Sequence, residues 1–122
     1  GDQVILMLTL LIVDDDRQMR SLIRSIVADL ADSITECGDG AEAPACYAAQ
    51  HPDWVLMDLM MPRVGGLAAT RQIVAADPAA RIVIVTGHES QSLREAAFGA
   101  GACAYVSKDN LLDLREILTV AA

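Results

Sequence analysis

The chain lacks any apolar stretch long enough to cross a membrane. Apolar residues make up 53% of the 122 residues, but they are divided among short segments. The longest run, residues 4–13, is interrupted by Thr9 and is too short for a membrane span. The first residues, Gly-Asp-Gln, also lack the basic region of a secretory signal. We therefore expect a cytoplasmic location and no membrane association.

Positive charge is scarce as well. The sequence has 9 Lys and Arg residues against 17 Asp and Glu residues, which gives a net charge of −8 and a pI near 4.4. Proteins bind the phosphate backbones of nucleic acids through patches of Lys and Arg. The composition therefore argues against direct nucleic-acid binding by this domain.

Paired cysteines are absent too. The three cysteines, Cys37, Cys46 and Cys103, are odd in number, widely spaced and form no CxxC pair. This spacing indicates neither a disulfide framework nor a zinc site. We expect the three thiols to be reduced and buried.

The chain does contain a regular alternation of strand-like and helical patterns, typical of βα units on a parallel sheet. Predicted strands cover residues 8–13, 34–37, 55–57, 82–86 and 104–106, and predicted helices cover residues 17–30, 40–50, 66–76, 90–100 and 111–120. The strands show no polar alternation, so both faces of the sheet should be covered. The sequence thus predicts an α/β fold, a three-layer α/β/α sandwich around a five-stranded parallel sheet.

The length fits one domain. We assign residues 8–122 to it and residues 1–7 to an N-terminal extension or a remnant of expression, with Met7 a candidate native start.

The first helix has the clearest pattern, because its apolar residues recur at steps of three and four. Asp15 or Asp16 is placed to cap this helix, and Asp39 is placed to cap the second one. The arginines on the opposite side of the first helix predict a solvated face, with docking of a partner as the alternative; they are Arg17, Arg20 and Arg24.

Acidic residues follow two of the predicted strands. Asp14 and Asp15 come directly after the first strand, and Asp58 comes directly after the third. Ligands of such folds sit at the carboxyl ends of the strands, where Thr86 and Lys108 are also expected. Clustered carboxylates repel one another and raise their pKa values unless a cation such as Mg²⁺ is bound. Each residue alone has a simpler explanation as a cap, a turn residue or a surface charge, so the prediction rests on their joint placement.

In these motifs the chain resembles the receiver domain of two-component response regulators, over residues 8 to about 120. The resemblance is carried by four segments in order: Ile12-Val13-Asp14-Asp15; Met57-Asp58-Leu59-Met60-Met61-Pro62 with Gly66; Val83-Ile84-Val85-Thr86-Gly87; and Ala100-Gly101-Ala102 leading to Tyr105-Val106-Ser107-Lys108. It implies a flavodoxin-like sheet with strand order 2-1-3-4-5.

The resemblance also implies the chemistry. Asp58 would be the phosphoacceptor for a sensor histidine kinase or phosphotransfer protein. Asp14, Asp15, Asp58 and the main-chain carbonyl of Met60 would hold Mg²⁺. Lys108 would pair with the phosphoryl group. The domain would be a signalling switch and not a turnover enzyme.

Two further residues are implied as the switch. The Thr86 hydroxyl would move toward the phosphoryl group, and the ring of Tyr105 would move inward. The face formed by the fourth helix, the fifth strand and the fifth helix would then control an output, a DNA-binding domain outside this chain or a homodimer. Without phosphorylation, the simplest expectation for Tyr105 is a half-buried ring with its hydroxyl in solvent.

The sequence departs from the family pattern near its end. Asp109 follows Lys108 where the family often has proline, so a trans peptide bond is expected. Residues 105–109, Tyr-Val-Ser-Lys-Asp, are similar to receivers of the LuxR/NarL type. Met60 and His88 occupy two positions that tune the lifetime of the acyl phosphate in the family.

Three alternative functions compete with the switch. A pseudo-receiver would have lost at least one of five site residues, and all five are present: Asp14, Asp15, Asp58, Thr86 and Lys108. A small Mg²⁺-dependent phosphohydrolase would carry a second acid two residues after Asp58, where Met60 stands. A flavin carrier would need a Ser/Thr/Gly-rich phosphate loop after the first strand, where three aspartates would repel the phosphate.

Overall fold

The computed structural model describes residues 7–120, except for the side chain of Val120. In this part, five strands alternate with five α-helices. The strands are β1 Leu8–Val13, β2 Ala31–Cys37, β3 Trp54–Asp58, β4 Ile82–Thr86 and β5 Ala104–Ser107. The helices are α1 Arg17–Val27, α2 Ala43–Gln50, α3 Gly66–Ala76, α4 Gln91–Gly99 and α5 Asp113–Val120. Two short 3₁₀ helices, Ala28–Leu30 and Lys108–Asn110, follow α1 and β5.

The strands form one parallel sheet in the order β2-β1-β3-β4-β5. This confirms the predicted flavodoxin-like α/β fold and its strand order. Each crossover between parallel strands contains a helix, as such connections require.

Alternate residues of β1 point into two separate cores. Leu11 and Val13 pack with buried residues of α2, α3 and α4, whereas Leu10 and Ile12 pack with buried residues of α1 and α5. Successive side chains of a strand point to opposite faces, so a strand covered on both sides must be apolar throughout. The helices therefore form the two outer layers of the predicted sandwich. Trp54 is 3% exposed and belongs to the core.

The helix termini differ in part from the predictions. Asp16 caps α1, because its Oδ1 accepts hydrogen bonds from the main-chain N–H groups of Gln18 and Met19. Asp39 does not cap α2, which begins only at Ala43. The Asp39 carboxylate instead accepts from the N–H of Ala41 in an Asx turn, and the Asp39 carbonyl accepts from the N–H of Glu42. These turns replace residues 40–42 of the predicted helix.

The α1 prediction also ran too long, because the last three of its residues form the 3₁₀ helix. The β2 strand starts three residues earlier than predicted, at Ala31. Its exposed polar residues gave no continuous apolar run at this edge of the sheet.

Several other expectations can be compared with the described residues. The expectation of three buried thiols is wrong for Cys103, which is exposed just before β5, and Cys46 is only partly buried. No cis peptide bond occurs in residues 7–120, so the Lys108–Asp109 bond is trans as predicted. None of the described helices is long and apolar enough to cross a membrane. Residues 1–6 of the predicted extension, and residues 121 and 122 of the predicted domain, lie outside the described residues.

Candidate functional site

The sheet register brings the acidic residues together. Val13 of β1 pairs with Met57 of β3, so the next residues, Asp14 and Asp58, emerge side by side at the carboxyl edge. With Asp15 they form a group whose carboxylate oxygens lie within 4.8 Å of one another. Asp14 and Asp58 are 1% and 4% exposed, whereas Asp15 is exposed. Oxygen donors at this spacing could hold a hard metal cation.

Lys108 supplies the positive charge of the cluster. It is the first residue after β5, and its Nζ lies 3.0 Å from Oδ2 of Asp14 and 3.1 Å from Oδ1 of Asp58. Burial by itself would lower the pKa of Lys108, but its contacts with the two carboxylates outweigh burial and raise that pKa. The ammonium group thus stays charged between the two buried acids.

Asp58 has an unusual carboxyl group. Burial, followed by repulsion from Asp14, raises its pKa above the ordinary value, although Lys108 acts in the opposite direction. The sequence predicted this direction from the crowding of like charges. Burial and the neighbouring carboxylates together therefore outweigh the effect of the Lys108 ammonium on this pKa.

Asp14 is fixed from several sides. Its N–H donates to the carbonyl of Cys37 at 3.0 Å, and its Oδ1 accepts from the N–H of Asp16 at 2.8 Å. Its carbonyl accepts from Nη1 of Arg20 at 2.6 Å. The buried Oδ2 contacts Lys108, but no described group gives it a hydrogen bond of acceptable geometry. Oδ2 is thus the Asp14 oxygen available to a cation.

Sequence reasoning missed Arg20. The predicted solvated face of α1 is wrong for this residue, because its side chain is 17% exposed and pairs with Glu36 of β2 at 3.0 Å. Arg24 pairs with the other oxygen of Glu36 at 2.8 Å. The presence of Glu36 on β2, the strand beside β1, was the signal that could have revealed this ion pair. The pattern of α1 alone gives no indication of a partner on another element.

The loop after β3 passes very close to Asp58. A Cβ atom added to Gly66 would lie 2.0 Å from the main-chain oxygen of Asp58, so only glycine fits there. The N–H of Gly66 donates to the carbonyl of Leu59 at 2.9 Å, which closes the loop. Met60 lies in this loop and is 56% exposed. Its proposed role as a carbonyl ligand stays a prediction.

Thr86 and Tyr105 contact the same peptide segment. Thr86 ends β4, is fully buried and accepts a hydrogen bond from the N–H of His88 at 3.0 Å. The Tyr105 hydroxyl donates to the carbonyl of His88 at 2.5 Å, and the guanidinium of Arg94 lies 5.6 Å from the ring centre. The Tyr105 ring is half-buried as expected, but its hydroxyl is bonded to the main chain and not left to solvent. The linking role of His88 could not be read from the sequence.

Comparison with known proteins identifies the family. The family model described as response regulator receiver domain matches residues 10–121. The chain is 38% identical over 103 residues to the chemotaxis protein CheY of Listeria monocytogenes, covering 84% of this chain and 87% of that protein. It is 36% identical over 104 residues to the response regulator MprA of Mycolicibacterium vanbaalenii, covering 85% of this chain but only 45% of MprA. The chain thus spans less than half the length of that relative.

A solved structure supports the same family. The two-component response regulator of the LuxR family from Aurantimonas sp. SI85-9A1 superposes with a TM-score of 0.83 at 35% identity, covering 92% of this chain and 85% of that one. This similarity fits the LuxR/NarL-type subgroup suggested by residues 105–109. The family model, the two relatives and the shared fold agree, and the chain belongs to the response regulator receiver domain family.

Proposed function

We propose that Asp58 accepts a phosphoryl group from the phosphohistidine of a sensor histidine kinase or phosphotransfer protein. The observation that carries this proposal is the position of Asp58 at the end of β3, 4% exposed and 3.1 Å from the Lys108 ammonium. An ionised carboxylate is a nucleophile that needs no separate base. One of its oxygens would bond to phosphorus while the phosphorus–nitrogen bond of the phosphohistidine breaks, and the imidazole would leave with the electron pair.

The acidic cluster supports a Mg²⁺ requirement. The carboxylates of Asp14, Asp15 and Asp58 offer oxygen donors within 4.8 Å of one another, the donor type that Mg²⁺ prefers. We propose the main-chain carbonyl of Met60 as a further ligand. Bound Mg²⁺ would supply positive charge for the phosphoryl oxygens. Its loss would leave three carboxylates facing one ammonium group, an arrangement that repels an incoming phosphoryl group.

Lys108 and Thr86 would bind the transferred group. Phosphoryl transfer depends mainly on placement and on neutralising charge on the oxygens. Lys108 would exchange its contact with Asp58 for one with a phosphoryl oxygen. The Thr86 hydroxyl would donate to another oxygen. The hydroxyl now accepts from the N–H of His88, and a hydroxyl group can accept one hydrogen bond and donate another at the same time.

The bonds to His88 suggest how the change would spread. Thr86 accepts from the N–H of His88, and Tyr105 donates to the carbonyl of the same residue. A displacement of Thr86 would therefore move the main-chain group to which Tyr105 is bonded. We propose that the Tyr105 ring then turns inward and alters the face formed by α4, β5 and α5. Such a two-state face is the expected readout of a local change in charge.

The output would lie outside this chain. The low coverage of MprA and the LuxR-family match support a receiver, residues 8–122, joined to a DNA-binding domain. The net charge of −8 disfavours DNA contacts by the receiver itself. A phosphorylation-dependent homodimer is the second form of output. We propose a cytoplasmic switch, with residues 1–7 as an extension outside the domain.

Intact-mass spectrometry tests the proposal directly. The chain is incubated with acetyl phosphate or phosphoramidate, with Mg²⁺ or with EDTA, as wild type and as Asp58→Asn. Asp32→Asn, which alters an exposed carboxylate of β2, is the matched control. We expect one adduct of about 80 Da, one phosphoryl group, only with Mg²⁺ and only when Asp58 is present. An adduct on Asp58→Asn, or one of equal yield in EDTA, contradicts the proposal.

A further inference from the structure

Arg20 of α1 contacts the main chain of the acidic site. Nη1 of Arg20 donates to the main-chain oxygen of Asp14 at 2.6 Å, and Nε donates to Glu36 at 3.0 Å. The two bonds use different nitrogens of one rigid guanidinium group. One side chain therefore connects the end of β1 to the neighbouring strand β2 at the point where Asp14 leaves the sheet.

Glu36 determines the electrical effect of this contact. Its carboxylate is shared by Arg20 and Arg24, with contacts of 3.0 and 2.8 Å. Burial would raise the pKa of Glu36, but the hydrogen bonds from the two arginines outweigh burial and lower it. Glu36 offsets part of the Arg20 charge, but one carboxylate shared by two arginines leaves one net positive charge. That charge would repel a bound cation, so only the geometry of the Arg20 contact can favour cation binding.

The remaining bonds of Asp14 show what that geometry controls. Cys37 accepts from the N–H of Asp14, Asp16 donates to Oδ1, and Arg20 donates to the carbonyl. Together these bonds fix the peptide groups on both sides of the Asp14 Cα atom and one carboxylate oxygen. The buried Oδ2 is left to contact Lys108, whose Nζ also contacts Asp58. Removal of the Arg20 bond frees one of the peptide groups and, with it, the direction of Oδ2.

We propose that Arg20 is a positioning residue, which orients the Asp14 carboxylate for the cation bound by the acidic cluster. The hydrogen bonds of Arg20 go to Glu36 and to the main-chain oxygen of Asp14, and not to a carboxylate of the acidic cluster. This inference rests on the proposed function of the cluster. Groups that orient metal ligands from outside typically change metal affinity by about 10- to 100-fold when removed. Since Arg20 holds the main chain of the ligand and not its carboxylate, we expect an effect at the low end of that range.

Arg24 provides a matched control. It lies one turn further along α1, binds the same Glu36 and donates to the carbonyl of Ile34, but its hydrogen bonds do not reach Asp14. Arg20→Gln and Arg24→Gln remove the same charge from the same network, so both should lower the melting temperature. Arg20→Lys keeps the charge but loses the forked geometry, and it should recover only part of the lost affinity.

The experiment measures Mg²⁺ binding by the full chain from the amide chemical shifts of the site residues, and then phosphorylation from phosphoramidate at saturating Mg²⁺. We expect Arg20→Gln to weaken Mg²⁺ binding about tenfold, and Arg24→Gln to stay within about twofold of wild type. Equal affinities of the two variants would overturn the positioning role. If the wild type binds Mg²⁺ but accepts no phosphoryl group, the proposed function fails while the affinity comparison still decides the role of Arg20. If the wild type binds no Mg²⁺, both fail.

Discussion

The substitution Asp58→Asn should make the metal-free domain more stable. The three carboxylates lie within 4.8 Å of one another, and at an effective dielectric constant of about 20 each fully charged pair would repel by about 3.5 kcal/mol. Lys108 lies 3.1 Å from Asp58, and the attraction between their charges is about 5 kcal/mol at the same dielectric constant. Exposure of Asp15 weakens its share of the repulsion, but burial of the Asp58 charge adds a desolvation cost. We expect a net gain of about 1–2 kcal/mol for the neutral amide.

Thermal unfolding in EDTA at pH 7 measures this gain. For a domain of this size, 1–2 kcal/mol corresponds to an increase in melting temperature of about 5 °C. Asp32→Asn, at an exposed position of β2, should leave the melting temperature unchanged. Added Mg²⁺ should stabilise the wild type more than Asp58→Asn, because the variant lacks one ligand. A variant that melts at or below the wild-type temperature in EDTA would refute the idea that the carboxylates are crowded.

The same pair of proteins has an expected pH dependence. The pKa of Asp58 is raised in the folded domain, chiefly by burial and then by Asp14. The folded state therefore binds a proton more readily than the unfolded chain, and protonation of Asp58 favours folding. As the pH falls through the raised pKa, the wild type should gain stability relative to Asp58→Asn, and the difference between them should close. A difference that stays constant from neutral to acidic pH would contradict the assignment.

Three further substitutions have direct consequences. Gly66→Ala should destabilise the domain by about 1–3 kcal/mol and lower the yield of the phosphoryl adduct, because the added Cβ would lie 2.0 Å from the main-chain oxygen of Asp58. Urea unfolding measures the first effect and intact mass the second, and an unfolding midpoint equal to that of the wild type would contradict the close approach. Lys108→Gln should lower the free energy of unfolding in EDTA by about 1–3 kcal/mol, because the buried acids lose their countercharge. It should also slow phosphorylation even at saturating Mg²⁺, and an unchanged rate would exclude a contact between Lys108 and the phosphoryl group. Tyr47→Phe should cost about 1 kcal/mol in urea unfolding, because the Tyr47 hydroxyl donates to Asp77 at 2.7 Å. Burial and then Asp77 raise the pKa of Tyr47 to about 12, so the variant should lose one of the two tyrosine ionisations in an absorbance titration, and Tyr105 should keep the other.

Much of the fold was predictable because its signals are local. The apolar runs of β1, β3 and β4 are buried on both faces, so their composition alone revealed central parallel strands. The edge strand β2 carries exposed polar residues, and its start was missed for that reason. Helix ends were less predictable, because an aspartate such as Asp39 can cap a helix or close a turn, and the surrounding backbone decides between the two.

The site divides in the same way. That Asp14, Asp58 and Lys108 meet follows from the order of the residues, because residues that end parallel strands must share one edge of the sheet. The tertiary structure alone decided the bonds that orient them: Arg20 on the Asp14 carbonyl, Gly66 against Asp58, and His88 between Thr86 and Tyr105. These contacts join groups on different elements, and each depends on distances and rotamers that are fixed only when helices and strands pack. The spacing of residues along one helix or strand does not predict distances between different elements. It does predict which residues of an element are buried and where a strand ends.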